Sequence, residues 1–176
     1  MGRIILVLMS SVDKHVLAAL KQGLEGAFNR PVEVRVKISS LDHAYDSSRM
    51  QYLSPRLLSR LDRMKKDRGD KIFGLVDVDL YSPGFDFVFG EADAAAGVAT
   101  VSLYRLRQEY YAQPPDSNVF EERAIKEAIH ELGHLYGLSH CLNPECVMHF
   151  STSLGYVDRK TKMFCAKCMQ RLRHNQ

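Results

Sequence analysis

The first 140 residues of this 176-residue chain contain no cysteine; all four thiols, at 141, 146, 165 and 168, fall in its last stretch. A disulfide framework spread through the molecule is therefore excluded. No run approaches the roughly 18–20 apolar residues of a membrane span. Ile4 to Met9 is an apolar run after Arg3. It is short for a secretory signal core and has no small-residue cleavage site, so it reads as a buried strand. Leu6 stands where a myristoylation signal needs Ser or Thr. Charge is nearly balanced, at +3, too little to imply a nucleic-acid partner. The short clusters Lys65-Lys66 with Arg68, and Arg159-Lys160 with Lys162, read as solvated faces. Internal repeats and low-complexity linkers are absent too. These absences leave a cytoplasmic protein, expected to be a monomer, with no membrane and no nucleic acid among its partners.

What is present suits a packed core: 45% hydrophobic and 26% charged residues in one domain or two closely packed subdomains. Residues 3–9 read as a strand. Ser11 or Asp13 can cap a helix over 13–28, with Val16, Leu17, Leu20, Leu24 and Phe28 at helical spacing. Val32, Val34, Val36 and Ile38 alternate as a second strand, and the β-α-β order favours a parallel pair with a right-handed crossover. Residues 39–53 look irregular. A helix starts at Ser54-Pro55 and closes at Gly69. Strands are expected at 71–78, 85–91 and 97–104, the second burying Phe85, Phe87 and Phe89 on one face. After Pro114-Pro115, Asn118 can cap a helix to Leu135 or Tyr136, with Glu121 completing a capping box. Beyond Gly137 mostly loop is expected, then a helix over 164–174.

The segment from His130 to His140 reads HExxHxxGxxH. Residues four apart share a helix face, so His130 and His134 can aim their imidazoles at one Zn²⁺. Glu131 projects beside the metal, placed to act as general base on zinc-bound water rather than as a ligand. Gly137 can take a positive φ, end the helix and let His140 return as third ligand. Three nitrogens and an open fourth position make a catalytic layout.

Cys165-Ala-Lys-Cys168 is a CxxC, and Cys141 with Cys146 is a looser pair. Two such pairs suit a closed Cys₄ structural zinc site. A reducing compartment favours that reading over its rivals, two disulfides or free thiols. Because Cys141 follows His140 directly, the second zinc would hold the third ligand of the first. Two Zn²⁺ per chain are expected, with a subdomain boundary between 1–137 and 138–176.

This run, together with Cys146-Val147-Met148, resembles the archaemetzincins, metzincin-type zinc peptidases with an added four-cysteine zinc site. Phe89-Gly90-Glu91-Ala92 resembles the family as well. The resemblance implies an α/β (α+β) fold: a twisted mixed β-sheet with packed helices, among them the HExxH active-site helix, above a horizontal cleft with the zinc at its base, and a zinc-stapled C-terminal subdomain. It further implies a metallopeptidase whose peptide or protein substrate pairs with an edge strand, for which Phe85–Glu91 is the candidate. Met148 would lie in a turn beneath the imidazoles. Some metzincins carry a tyrosine two residues after that methionine; here the position is Phe150. Roles for His149, Tyr136 or Tyr156 are weaker readings, and His15, His43 and His174 read as surface residues. Asp77, Asp79, Glu91 and Asp93 are the carboxylates that could hold a substrate amine in an aminopeptidase. Two rival functions stand beside the peptidase: a zinc-binding scaffold without turnover, and a nucleic-acid module using Lys160, Lys162, Lys167, Arg171 and Arg173.

Overall fold

A computed structural model describes residues 2–176. The apolar run forms β1 (Ile4–Leu8), every residue of it buried. Asp13 caps α1 (Lys14–Phe28), its carboxylate accepting the N–H groups of His15 and Val16. Asn29, in the left-handed conformation, ends that helix. The chain continues through β2 (Val32–Val36), β3 (Tyr45–Asp46), β4 (Gln51–Leu53), α2 (Ser54–Asp62), β5 (Lys71–Val76), β6 (Leu80–Tyr81), β7 (Gly90–Asp93) and β8 (Val98–Ser102). Then come α3 (Ser117–Leu135), α4 (Leu154–Arg159) and α5 (Ala166–Asn175).

The main sheet has the order β2-β1-β5-β8-β7, parallel throughout except for β7, which runs antiparallel to β8 at the edge. Strand side chains alternate between faces. Leu6, Phe73, Leu75, Ala99 and Val101 therefore pack against α1 and α3, while Ile5, Val7, Ile72, Val76 and Val98 pack under α2. Helices cover both faces, which is why the strands read as continuous apolar runs. The fold is the mixed α/β architecture expected.

Several local expectations need correction. The strand expected over 85–91 is confined to Gly90–Asp93. Upstream, backbone groups are used outside the main-sheet ladder: Phe85 N–H donates to the Ser82 carbonyl, and Val88 N–H donates to that of Leu80. The Asp86 carbonyl accepts from Arg49 and Gln51 side chains. Of the three phenylalanines only Phe89 is buried; Phe85 is 51% exposed. Asp116, not Asn118, caps α3, accepting the N–H groups of Asn118 and Val119. Ending at Asp62, α2 falls short of Gly69, and the irregular 39–53 stretch contributes two strands of a separate three-stranded sheet. Within the region expected to be loop lies α4.

Candidate metal centres and the cleft between them and the edge strand

Helix α3 presents His130 and His134 on one face, and each ring is held from behind. His130 Nδ1 lies 2.8 Å from the Val147 carbonyl and His134 Nδ1 2.7 Å from that of Leu138. A carbonyl can only accept, so each Nδ1 carries the proton and each Nε2 keeps its lone pair. The two Nε2 atoms are 3.1 Å apart. Tetrahedral ligands at 2.0–2.1 Å from one zinc would be about 3.3 Å apart. Gly137, at φ +77°, turns the chain out of the helix. His140 then returns with its ring centroid 5.3 Å from that of His130 and 4.8 Å from that of His134. One ring nitrogen from each of the three histidines lies within 4.8 Å of the others. Burial holds His130 and His134 below the usual imidazole range and brings His140 down to about 4. Neutral imidazoles are the form that ligates metal.

Glu131 is buried beside this cluster. Burial first, then the Glu127 carboxylate, push its pKa well above the usual range, while Lys160 opposes them. Lys160 is fully buried, with Nζ 2.7 Å from Glu127 Oε1 in an ion pair and 3.5 Å from the His149 carbonyl. This corrects the solvated-face reading: Arg159 and Lys162 are exposed, but Lys160 points inward from the end of α4. A basic patch for nucleic acid loses one of its five cations accordingly. Two residues earlier, Asp158 clasps the Arg123 guanidinium at 2.6 and 2.7 Å. Thus α4 is pinned to α3 by two ion pairs of opposite polarity. Sequence reading missed this; two carboxylates one turn apart on a buried helix face, Glu127 and Glu131, were the available signal.

The cysteines gather in one place as well. Their four Sγ atoms lie within 4.8 Å of one another, and Cys141 and Cys165 are 3.8 Å apart. Four thiolates around a zinc at about 2.3 Å would sit roughly 3.8 Å apart, whereas a disulfide needs about 2.05 Å. The Cys168 N–H, the largest of several hydrogen-bond donors, draws Cys165 down to about 7; burial raises Cys146 and Cys168. The Cys141 N–H donates to the Met148 carbonyl at 2.9 Å, tying this cluster to the fully buried Met148.

A cleft of about 620 Å³ opens over the imidazoles, bounded by 82–94 above and 137–152 below, with Glu127 and Glu131 in its wall. Phe150 packs on His140, centroids 4.6 Å apart. Most of the weaker sequence candidates lie away from the imidazoles. His149 Nδ1 lies 2.9 Å from the Cys141 carbonyl, a support contact. Tyr136 stacks on Phe28 in the core, and neither it nor Tyr156 lines the cleft. Asp77 and Asp79 are paired with Arg107 and Arg105. Glu91 stays in the cleft wall, its carboxylate accepting from Ser82 Oγ at 2.9 Å and its charge adding to the upward push on Glu131. His15, His43 and His174 are exposed.

A mixed sheet packed against an HExxH helix, with a cluster of three imidazoles and another of four thiols each able to hold a metal ion, defines a zinc metallopeptidase of metzincin type. The model of peptidase family M54 matches residues 8–174. The archaemetzincin of Pyrococcus abyssi (strain GE5 / Orsay) is 45% identical over 181 residues, 99% of this chain and 96% of that one. Two solved structures are similar. A zinc-dependent peptidase from Methanocorpusculum labreanum has TM-score 0.89 and 34% identity, covering 96% of this chain and 99% of that one. The archaemetzincin of Methanopyrus kandleri has TM-score 0.85 and 38% identity, covering 99% and 94% respectively. The chain belongs to peptidase family M54, the archaemetzincins.

Proposed function

We propose that the chain hydrolyses peptide bonds in the cleft beneath β7, with His130, His134 and His140 holding a catalytic zinc and Glu131 as general base. The observation that carries this is the convergence of three imidazoles, two of them turned by backbone carbonyls, into a cleft that Glu131 also lines. When bound, zinc supplies Lewis acidity toward water and the scissile carbonyl. Glu131 takes the proton released by the attacking water and returns it to the leaving amine. The edge strand β7 offers backbone groups for an extended peptide, which fixes the scissile bond by added strand pairing. Cys141, Cys146, Cys165 and Cys168 hold a second, structural zinc, and residues 138–176 act as a stapled subdomain against 1–137. Thiolate ligation suits a reducing compartment, the cytoplasm, and the chain works as a monomer. Among the described residues no helix is long and apolar enough to cross a membrane. Glu131→Gln tests the reading: zinc content holds while kcat falls by about 10²–10⁴. Unchanged turnover would remove Glu131 from the reaction.

A further inference from the structure

Gly90 opens the edge strand, paired with Val101 of β8. Side chains alternate along a strand, so position 90 faces α3 while Glu91 faces the other way, toward Ser82. A Cβ on Gly90 would lie 2.7 Å from Glu131 Cγ, 2.9 Å from Glu131 Oε1 and 2.8 Å from the Thr100 carbonyl oxygen. Real Cβ atoms essentially never come within 3.0 Å of such neighbours. Among the described residues the positive-φ glycines are Gly84, Gly97 and Gly137, so the backbone at Gly90 is open to any L-residue. The need for glycine there comes from contact alone. Burial and neighbouring charges perturb the Glu131 carboxylate, and no hydrogen bond among the described residues contributes.

We propose that Gly90 is a positioning residue for the peptidase reaction, the bare backbone against which the Glu131 side chain is seated. The inference rests on the peptidase reading for its consequence, though not for its geometry. One strand would then do two jobs: its outer edge aligns the substrate backbone, and its inner face at Gly90 sets where the base stands. Substrate and base are referred to the same few atoms, so their separation varies little as the cleft breathes.

Gly90→Ala tests this through two readouts. A displacement of about 1 Å at a reacting group costs roughly 10²-fold in rate. The variant is expected to lose about that much kcat, with KM and zinc content little changed. The second readout needs no turnover. The urea midpoint is measured for Gly90→Ala in the unaltered chain and in a Glu131→Ala background. The clash with Glu131 is absent from the second pair, while that with Thr100 is common to both. The fall in midpoint should shrink by at least half in the Glu131→Ala background. An equal fall in both backgrounds overturns the proposal. Should Gly90→Ala fail to fold, the Glu131→Ala background must restore folding, and failure in both overturns it likewise. If the unaltered chain cleaves no peptide, the peptidase reading fails while the stability comparison still decides whether Gly90 seats Glu131.

Discussion

The sheet and the tail share one apolar core but differ in what is added to it. Residues of β1 and β5 are buried on both faces among aliphatic and aromatic side chains, so apolar burial sustains that half. The tail after Gly137 joins the same core through Leu138, Val147, Met148, Val157, Phe164 and Leu172, all buried. To that burial it adds four clustered thiols and the ion pairs of Asp158 and Lys160 with α3. If each cluster holds a zinc, as proposed, the chain itself links the two. His130 and His134 stand on α3, while His140 lies in the tail and is followed directly by Cys141 of the thiol cluster.

The largest expected effect breaks the contrast at its weaker side. Structural zinc in small metal-bound units contributes about 10–16 kcal/mol. Cys165→Ser, or chelation, should abolish protection of tail amides in hydrogen exchange while leaving β1 and β5 protected. It should also lower zinc occupancy at the histidines. Loss of one zinc with full occupancy of the other would uncouple the two sites. The converse variant, Phe73→Ala, removes a fully buried ring from the sheet. It should cost about 3–5 kcal/mol in denaturant unfolding with zinc affinity at the thiols unchanged.

Lys160→Met sharpens the comparison where the two regions meet. It leaves Glu127 buried without its cation, costing about 3–5 kcal/mol. Adding Glu127→Gln should recover most of that loss, since removing both charges is far milder than stranding one. No recovery would mean that Lys160 acts by shape alone. The smallest effect lies at the far end of the sheet. Hydrogen bonds from the Arg3 guanidinium and N–H hold the Asp70 carboxyl below its usual range. A depressed carboxyl stabilises the fold above its unfolded value of about 3.9, and that contribution is lost as pH falls through the folded value. Arg3→Ala should therefore destabilise at pH 7 and have little effect near pH 2, with metal binding untouched at neutral pH.

Much of the sheet was legible because its signals are local. A buried parallel strand is an apolar run, and the α1 pattern and its Asp13 cap are written within a few neighbouring residues. The Phe85–Glu91 strand failed for the opposite reason. Period-two phenylalanines promise a ladder, but the Arg49 and Gln51 side chains, distant in sequence, took the Asp86 carbonyl, and the nearby Leu80 carbonyl took the Val88 N–H. Lys160 was misread in the same way, because a cation's partner across a tertiary contact leaves no mark beside it.

By itself the sequence determined which donors exist and at what spacing: HExxHxxGxxH and two cysteine pairs specify chemistry because helix pitch and a glycine turn are local geometry. Tertiary structure alone decided what surrounds those donors: the Val147 and Leu138 carbonyls that orient the rings, the Lys160 that faces Glu127, and the Gly90 backbone against Glu131. Burial and close approach depend on segments far apart in the chain, and no window of neighbouring residues contains them.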